Sequence, residues 1–93
     1  MTSYQITQYT KKQAKKLGVT VKQAKRKDKK IDVFKDGKKV ASIGALGYQD
    51  YPTYIKTKGI QYANKRRKLY QMRHRGEQRA VGSPGYYAWY LLW

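Results

Sequence analysis

The spacing of apolar and polar positions changes several times along this chain, and each change predicts an element. "TKKQAKKLG" (residues 10–18) reads as a short helix with Gly18 as its stop. "VTVKQAKRKDKK" follows, with strand-like Val19 and Val21 ahead of a dense basic run. "IDVFKDGKKVASI" (31–43) carries two β-leaning runs around Asp36-Gly37, a pair suited to a tight hairpin turn. Ile31, Val33 and Phe34 on one strand and Val40, Ala41 and Ile43 on the other are its apolar residues, and Val19 to Val21 offer a third strand.

Beyond the glycines of "GALGYQDYP", Asp50 is placed to cap and Pro52 to open a helix, "YPTYIKTK", which Gly59 ends. "IQYANKRRKLYQMRHR" continues as a longer helix, unless Gly59 sits inside one kinked helix. "EQRAVG" reads as a linker, and Ser83-Pro84 start a last short helix, "SPGYYAWYLLW". The predicted class is α+β: a small hairpin with room for a third strand, then two or three short helices. The segment 1–30 is expected to be an extended basic N-terminal arm, and 31–93 the domain itself. Nothing near the start has the apolar core of a signal peptide, and no run is long enough to span a membrane.

Composition sharpens this picture. There is no Cys, which removes disulfides and thiol chemistry, and the single His and five acids are too scattered for a metal cage. No paired carboxylates and no glycine-rich phosphate loop stand near a usable nucleophile and base, so catalysis is not expected. No cofactor and no small-molecule substrate are expected either. The 22 Lys and Arg against five acids give a formal charge of +17, which attracts polyanions or acidic protein surfaces.

Two clusters stand out as candidate sites. In the long helix, Arg66, Arg67, Tyr70, Arg73 and His74 share one face with Ala63. Guanidinium forks grip phosphates or carboxylates two oxygens at a time, so this face is a candidate anion site; a solvated basic face is the plainer reading. The opposite side, with Tyr62, Leu69 and Met72, reads as core. In the last segment Tyr86, Tyr87, Trp89, Tyr90 and Trp93 either close the domain's own core or dock into a neighbour. Tyr48, Tyr51 and Tyr54 recur every third residue, as rings that stack on bases or as packing.

The runs "KIDVFKDGKKVASIGALGYQDYPTYIKTKG", "ANKRRKLYQMRH" and "GSPGYYAWYLLW", in that order, resemble a family of small basic proteins of nucleocytoplasmic large DNA viruses of algae and protists. The resemblance covers about residues 30–93 and rests on Gly47 to Tyr51, on Arg66, Arg67, Tyr70, Arg73 and His74, and on Leu92-Trp93. It departs at Pro52-Thr53-Tyr54-Ile55, where that family often has Thr-x-His-Lys. The resemblance implies a minor capsid protein without enzymatic activity, located in the virion on the inner side of the capsid. It would cement or bridge major and other minor capsid proteins, with nonspecific contact to viral DNA or internal membrane headgroups. The alternative expectation is a packaged protein that binds or condenses nucleic acid without reading sequence.

Overall fold

A computed structural model describes residues 4–93. Thr7 accepts a hydrogen bond from the Thr10 amide and starts α1 (Gln8–Leu17), and Gly18 ends it in the left-handed region at φ 72°. Three antiparallel strands follow in the order β1 (Thr20–Gln23), β2 (Lys29–Lys35), β3 (Lys38–Ala45). The β2–β3 turn is two residues long, with Asp36 at φ 52° and Gly37 at φ 79°. Two successive positive φ values are what a type I′ hairpin needs, so the Asp-Gly signal is read out directly.

Ile31 and Val33 of β2 and Ala41 and Ile43 of β3 project to one face and are buried with Ala14, Tyr87, Leu91 and Leu92. The other face of β2 is polar and still buried. Asp32 there accepts from the Ser42 hydroxyl at 2.6 Å and the Lys25 amide at 3.2 Å, and meets Lys39 Nζ at 3.6 Å. Burial alone would raise the Asp32 carboxyl, but these donors and the ammonium hold it below the usual carboxylate range.

Asp50 caps α2 (Tyr51–Lys58) through the Thr53 amide at 3.1 Å, with Pro52 in its first turn. Gly59, at φ 93° and ψ 164°, closes α2 and opens α3 (Ile60–Arg73), so the chain makes two helices at this point. A short 3-10 turn at Glu77–Arg79 then leads to Ser83, whose hydroxyl accepts from the Tyr86 amide and caps α4 (Pro84–Leu92).

The basic N-terminal segment differs from the expected extended arm. Residues 8–23 supply α1 and β1, and the expected boundary at 30/31 falls inside β2; residues 1–3 lie outside the described residues. The cause is a narrow strip of small side chains. Thr10 and Ala14 are buried between exposed lysines, which lets α1 lie close to α4. Thr10 Oγ1 then donates to the Leu91 carbonyl at 2.7 Å, and Gln13 Nε2 to that of Tyr90 at 3.2 Å. These bonds satisfy carbonyls that the last turn of a helix leaves free. The Cα radius of gyration, 12.6 Å, is close to the roughly 12 Å of a compact domain this long.

Candidate anion-binding cleft

Helices α2 and α3 pack mainly on each other and meet the rest of the domain through long side chains. Tyr70 stacks on Trp93 with ring centroids 4.4 Å apart and planes 8° apart, and on His74 at 4.2 Å and 24°. Trp93 also meets Tyr54 at 6.2 Å, and Tyr70 meets Trp89 at 6.2 Å. Rings therefore hold α3 at a distance from the end of α4, and a cleft of about 420 Å³ opens beside them. Burial, and after it the Glu77 carboxylate, push the Tyr70 phenol up to about 12.

The floor of the cleft is an ion pair. Lys30 Nζ and Asp50 Oδ2 are 3.0 Å apart and both side chains are buried. Tyr4 donates its hydroxyl to the same carboxylate oxygen at 2.8 Å, and Lys30 lies 5.1 Å from the Tyr4 ring centre. Burial first, and then the Asp50 charge, raise the Tyr4 phenol well above its ordinary value. Gly44 completes the floor at φ 77°. A Cβ there would come within 2.9 Å of both Leu92 Cδ1 and the Lys30 stem, so this position has no room for a side chain.

Four of the five arginine-face residues meet here: Arg66, Tyr70, Arg73 and His74 line the cleft. Arg66 lies over Tyr54, 5.6 Å from the ring centre, and its Nε is buried with no hydrogen-bond partner. His74 pairs through Nδ1 with Glu77. Arg67 points elsewhere. It stacks on Tyr51 at 3.9 Å and donates to the Trp93 backbone oxygen at 3.5 Å and to Asn64 at 3.4 Å. Tyr51 in turn donates to Asn64 Oδ1 at 2.8 Å and touches Tyr9 at 5.5 Å. Arg67 thus braces α3 against α2 and the chain end.

The expected docking anchors are turned largely inward. Tyr87 is buried, while Tyr86, Trp89, Tyr90 and Trp93 are half-buried around it. Tyr86 meets Tyr87 at 5.3 Å and Tyr90 at 5.0 Å. Of the two readings open for this segment, the geometry matches closure of the domain's own core. The expectation that Tyr62, Leu69 and Met72 form core is overturned, because all three are exposed, Met72 at 57%. The opposite side of α3 faces inward, where Ala63 permits close approach and the arginines find aromatic faces to cover.

Sequence reasoning did not place Lys30, Gly44 or Asp50 at this site, and it left Tyr48 between base stacking and packing. Tyr48 is the informative one. Of the three periodic tyrosines, Tyr51 is buried and hydrogen-bonded and Tyr54 is half-buried, as packing requires. Tyr48 follows the β3 end on the cleft rim and is 75% exposed. Gly44 and Gly47, both at positive φ, were the available sign of an unusual loop there. No family model matches the chain, and no curated protein or solved structure shows significant similarity to it.

Proposed function

We propose that this protein binds nucleic acid through its charge, without reading sequence. One observation carries the reading. Among the described residues only Arg26, Lys30 and Lys39 of the 22 Lys and Arg meet a carboxylate, and of these Lys30 alone is buried. The remaining cations have no protein anion to neutralise them, and phosphates of a polyanion supply what is missing. Lysines on α1, in the β1–β2 segment, at the hairpin turn and on α2 and α3 are exposed in several directions. That distribution suits wrapping or condensing a polymer better than gripping one small ligand.

The test is duplex DNA binding by the full chain across a salt series. A protein that neutralises 6–10 phosphates loses roughly 10³–10⁵ in affinity between 50 and 200 mM salt. A shallow slope, or no binding at the lower salt, counts against the reading.

A second reading is favoured by one specific observation. Tyr62, Leu69 and Met72 form an exposed apolar stripe on α3, and such patches suit a protein neighbour. With the family resemblance, it supports a minor capsid protein that cements or bridges capsid subunits on the inner side of a large icosahedral virion. The two roles are compatible in one packaged protein. Crosslinking of intact particles separates them: lysine crosslinks to capsid subunits support the second role, and crosslinks confined to the genome support the first alone.

A further inference from the structure

We propose that the cleft between β3, α2, α3 and the end of α4 holds an unpaired nucleotide of single-stranded nucleic acid, with the base on Tyr48 and the phosphate on Arg66 and Arg73. The inference rests on the nucleic-acid reading above and deepens it by naming a site and a strand preference. A surface of scattered lysines attracts any polyanion, but this cleft has features that such a surface does not need. Its volume, about 420 Å³, falls within the roughly 300–1,000 Å³ of sites that enclose small ligands. Its wall is the Tyr54, Tyr70 and Trp93 rings, and Tyr48 stands at the rim with most of its surface in water. An exposed ring at the mouth of a cationic pocket offers the π-face on which an unstacked base gains contact.

The cations are available as well. Arg66 has its guanidinium carbon over Tyr54 and an Nε buried without a partner, a donor waiting for an acceptor. Arg73, on the same side of α3 and exposed, lines the same cleft. Of the two carboxylates nearby, Asp50 is held by Lys30, Tyr4 and the Thr53 amide, and Glu77, which meets His74, is not among the residues lining the cleft. An incoming phosphate therefore meets Arg66 and Arg73 with the cleft's own carboxylate already paired. Duplex DNA keeps its bases stacked inside, and could use the arginines but neither the concavity nor the ring. Only a strand with splayed bases uses all three.

The experiment compares the full chain's affinity for an oligothymidylate of about 10 nucleotides, within the roughly 4–16 that a small stacking platform covers, with its affinity for a duplex of equal length at one ionic strength. The expected result is tighter binding of the single strand, with quenching of indole emission as a base enters beside Trp93. Tyr48→Ala should lower the single-strand to duplex ratio by about 5- to 150-fold, the span that loss of one stacked base implies. Tyr48 is exposed, so this variant keeps the fold. Arg73→Gln, also at an exposed position, should lower the same ratio. Lys16→Gln should weaken both polymers together and leave the ratio where it was. Equal loss for both polymers in Tyr48→Ala, or no loss, overturns the cleft site while leaving charge-driven binding intact. Failure of the wild-type chain to bind either polymer overturns both. Polyglutamate displacing oligothymidylate at equal charge concentration would overturn the nucleotide as occupant and point to an acidic peptide.

Discussion

Helix α4 offers the interior Tyr87, Leu91 and Leu92, whereas α3 offers Ala63 and Tyr70 and keeps Tyr62, Leu69 and Met72 in solvent. The two helices border the same domain and both carry aromatic rings, yet their interfaces are built differently. On the α4 side, aliphatic groups interlock with Ile31, Val33, Ala41 and Ile43, and the stabilisation scales with area removed from water. On the α3 side, stacked rings, guanidinium groups lying over tyrosines and a buried ion pair span a gap that stays partly open. A strongly cationic chain can thus close one half of its core by ordinary apolar burial and attach the other half with its own charged side chains. The attached half is also where the cleft forms, because rings that prop two elements apart leave space between them.

The contrast can be broken by substitution. The largest effect should come from Asp50→Ala, which leaves Lys30 buried without its partner; removing one member of such a pair costs about 3–5 kcal/mol. Urea unfolding of this variant should show that loss, and a change below 1 kcal/mol would mean that water reaches the cleft floor. Leu91→Ala should cost about 2–5 kcal/mol as a buried aliphatic truncation. If it is milder than Asp50→Ala but follows the same unfolding transition, the two halves melt as one unit. Ser83→Ala removes the α4 cap and should cost about 1 kcal/mol by the same measurement. At the small end, Leu69→Ala should stay within about 0.5 kcal/mol, since that residue is exposed. A cost near that of Leu91→Ala would erase the distinction between the helices.

Alkali gives a titration test of the same contrast. Tyr70 is held neutral up to about 12, and Tyr4 and Tyr9 are also raised, chiefly by burial. An unfolded tyrosine ionises near pH 10. The neutral phenols therefore stabilise the fold fully below about pH 10, and that contribution is lost as pH rises through about 12. Phenolate absorbance and circular dichroism should change together in that window. Ionisation of every tyrosine near pH 10 with the fold intact would show that the rings are not sequestered.

Much of the local structure was readable because its causes are local. Asp36-Gly37, Gly18, Asp50-Tyr51-Pro52 and Ser83-Pro84 set their turns, stops and caps through backbone preferences that need no partner. The helix and the third strand within residues 8–23 were legible, but their docking was not, since Thr10 and Ala14 amid lysines give little apolar signal, and their burial depends on the α4 carbonyls they meet. The shared helical face of the arginine set was legible from its spacing, but its direction was not: a guanidinium can seek water or cover a ring, and only the position of Tyr51 and Tyr54 decides. Arg67 left the set for that reason. Tyr48 was visible only as one of three periodic tyrosines, and the turn after β3 is what separates it from the other two.

The bond from Thr10 to the Leu91 carbonyl joins residues 81 positions apart and has a consequence for biosynthesis. At about 5–20 residues per second, the ribosome needs roughly 4–16 s after making the first helix before its partner has even been polymerised. During that interval the nascent polypeptide holds a hairpin that is only marginally stable by itself and a row of lysines with no completed interior. Closure of this contact thus comes late, and the growing chain spends those seconds as a loose polycation.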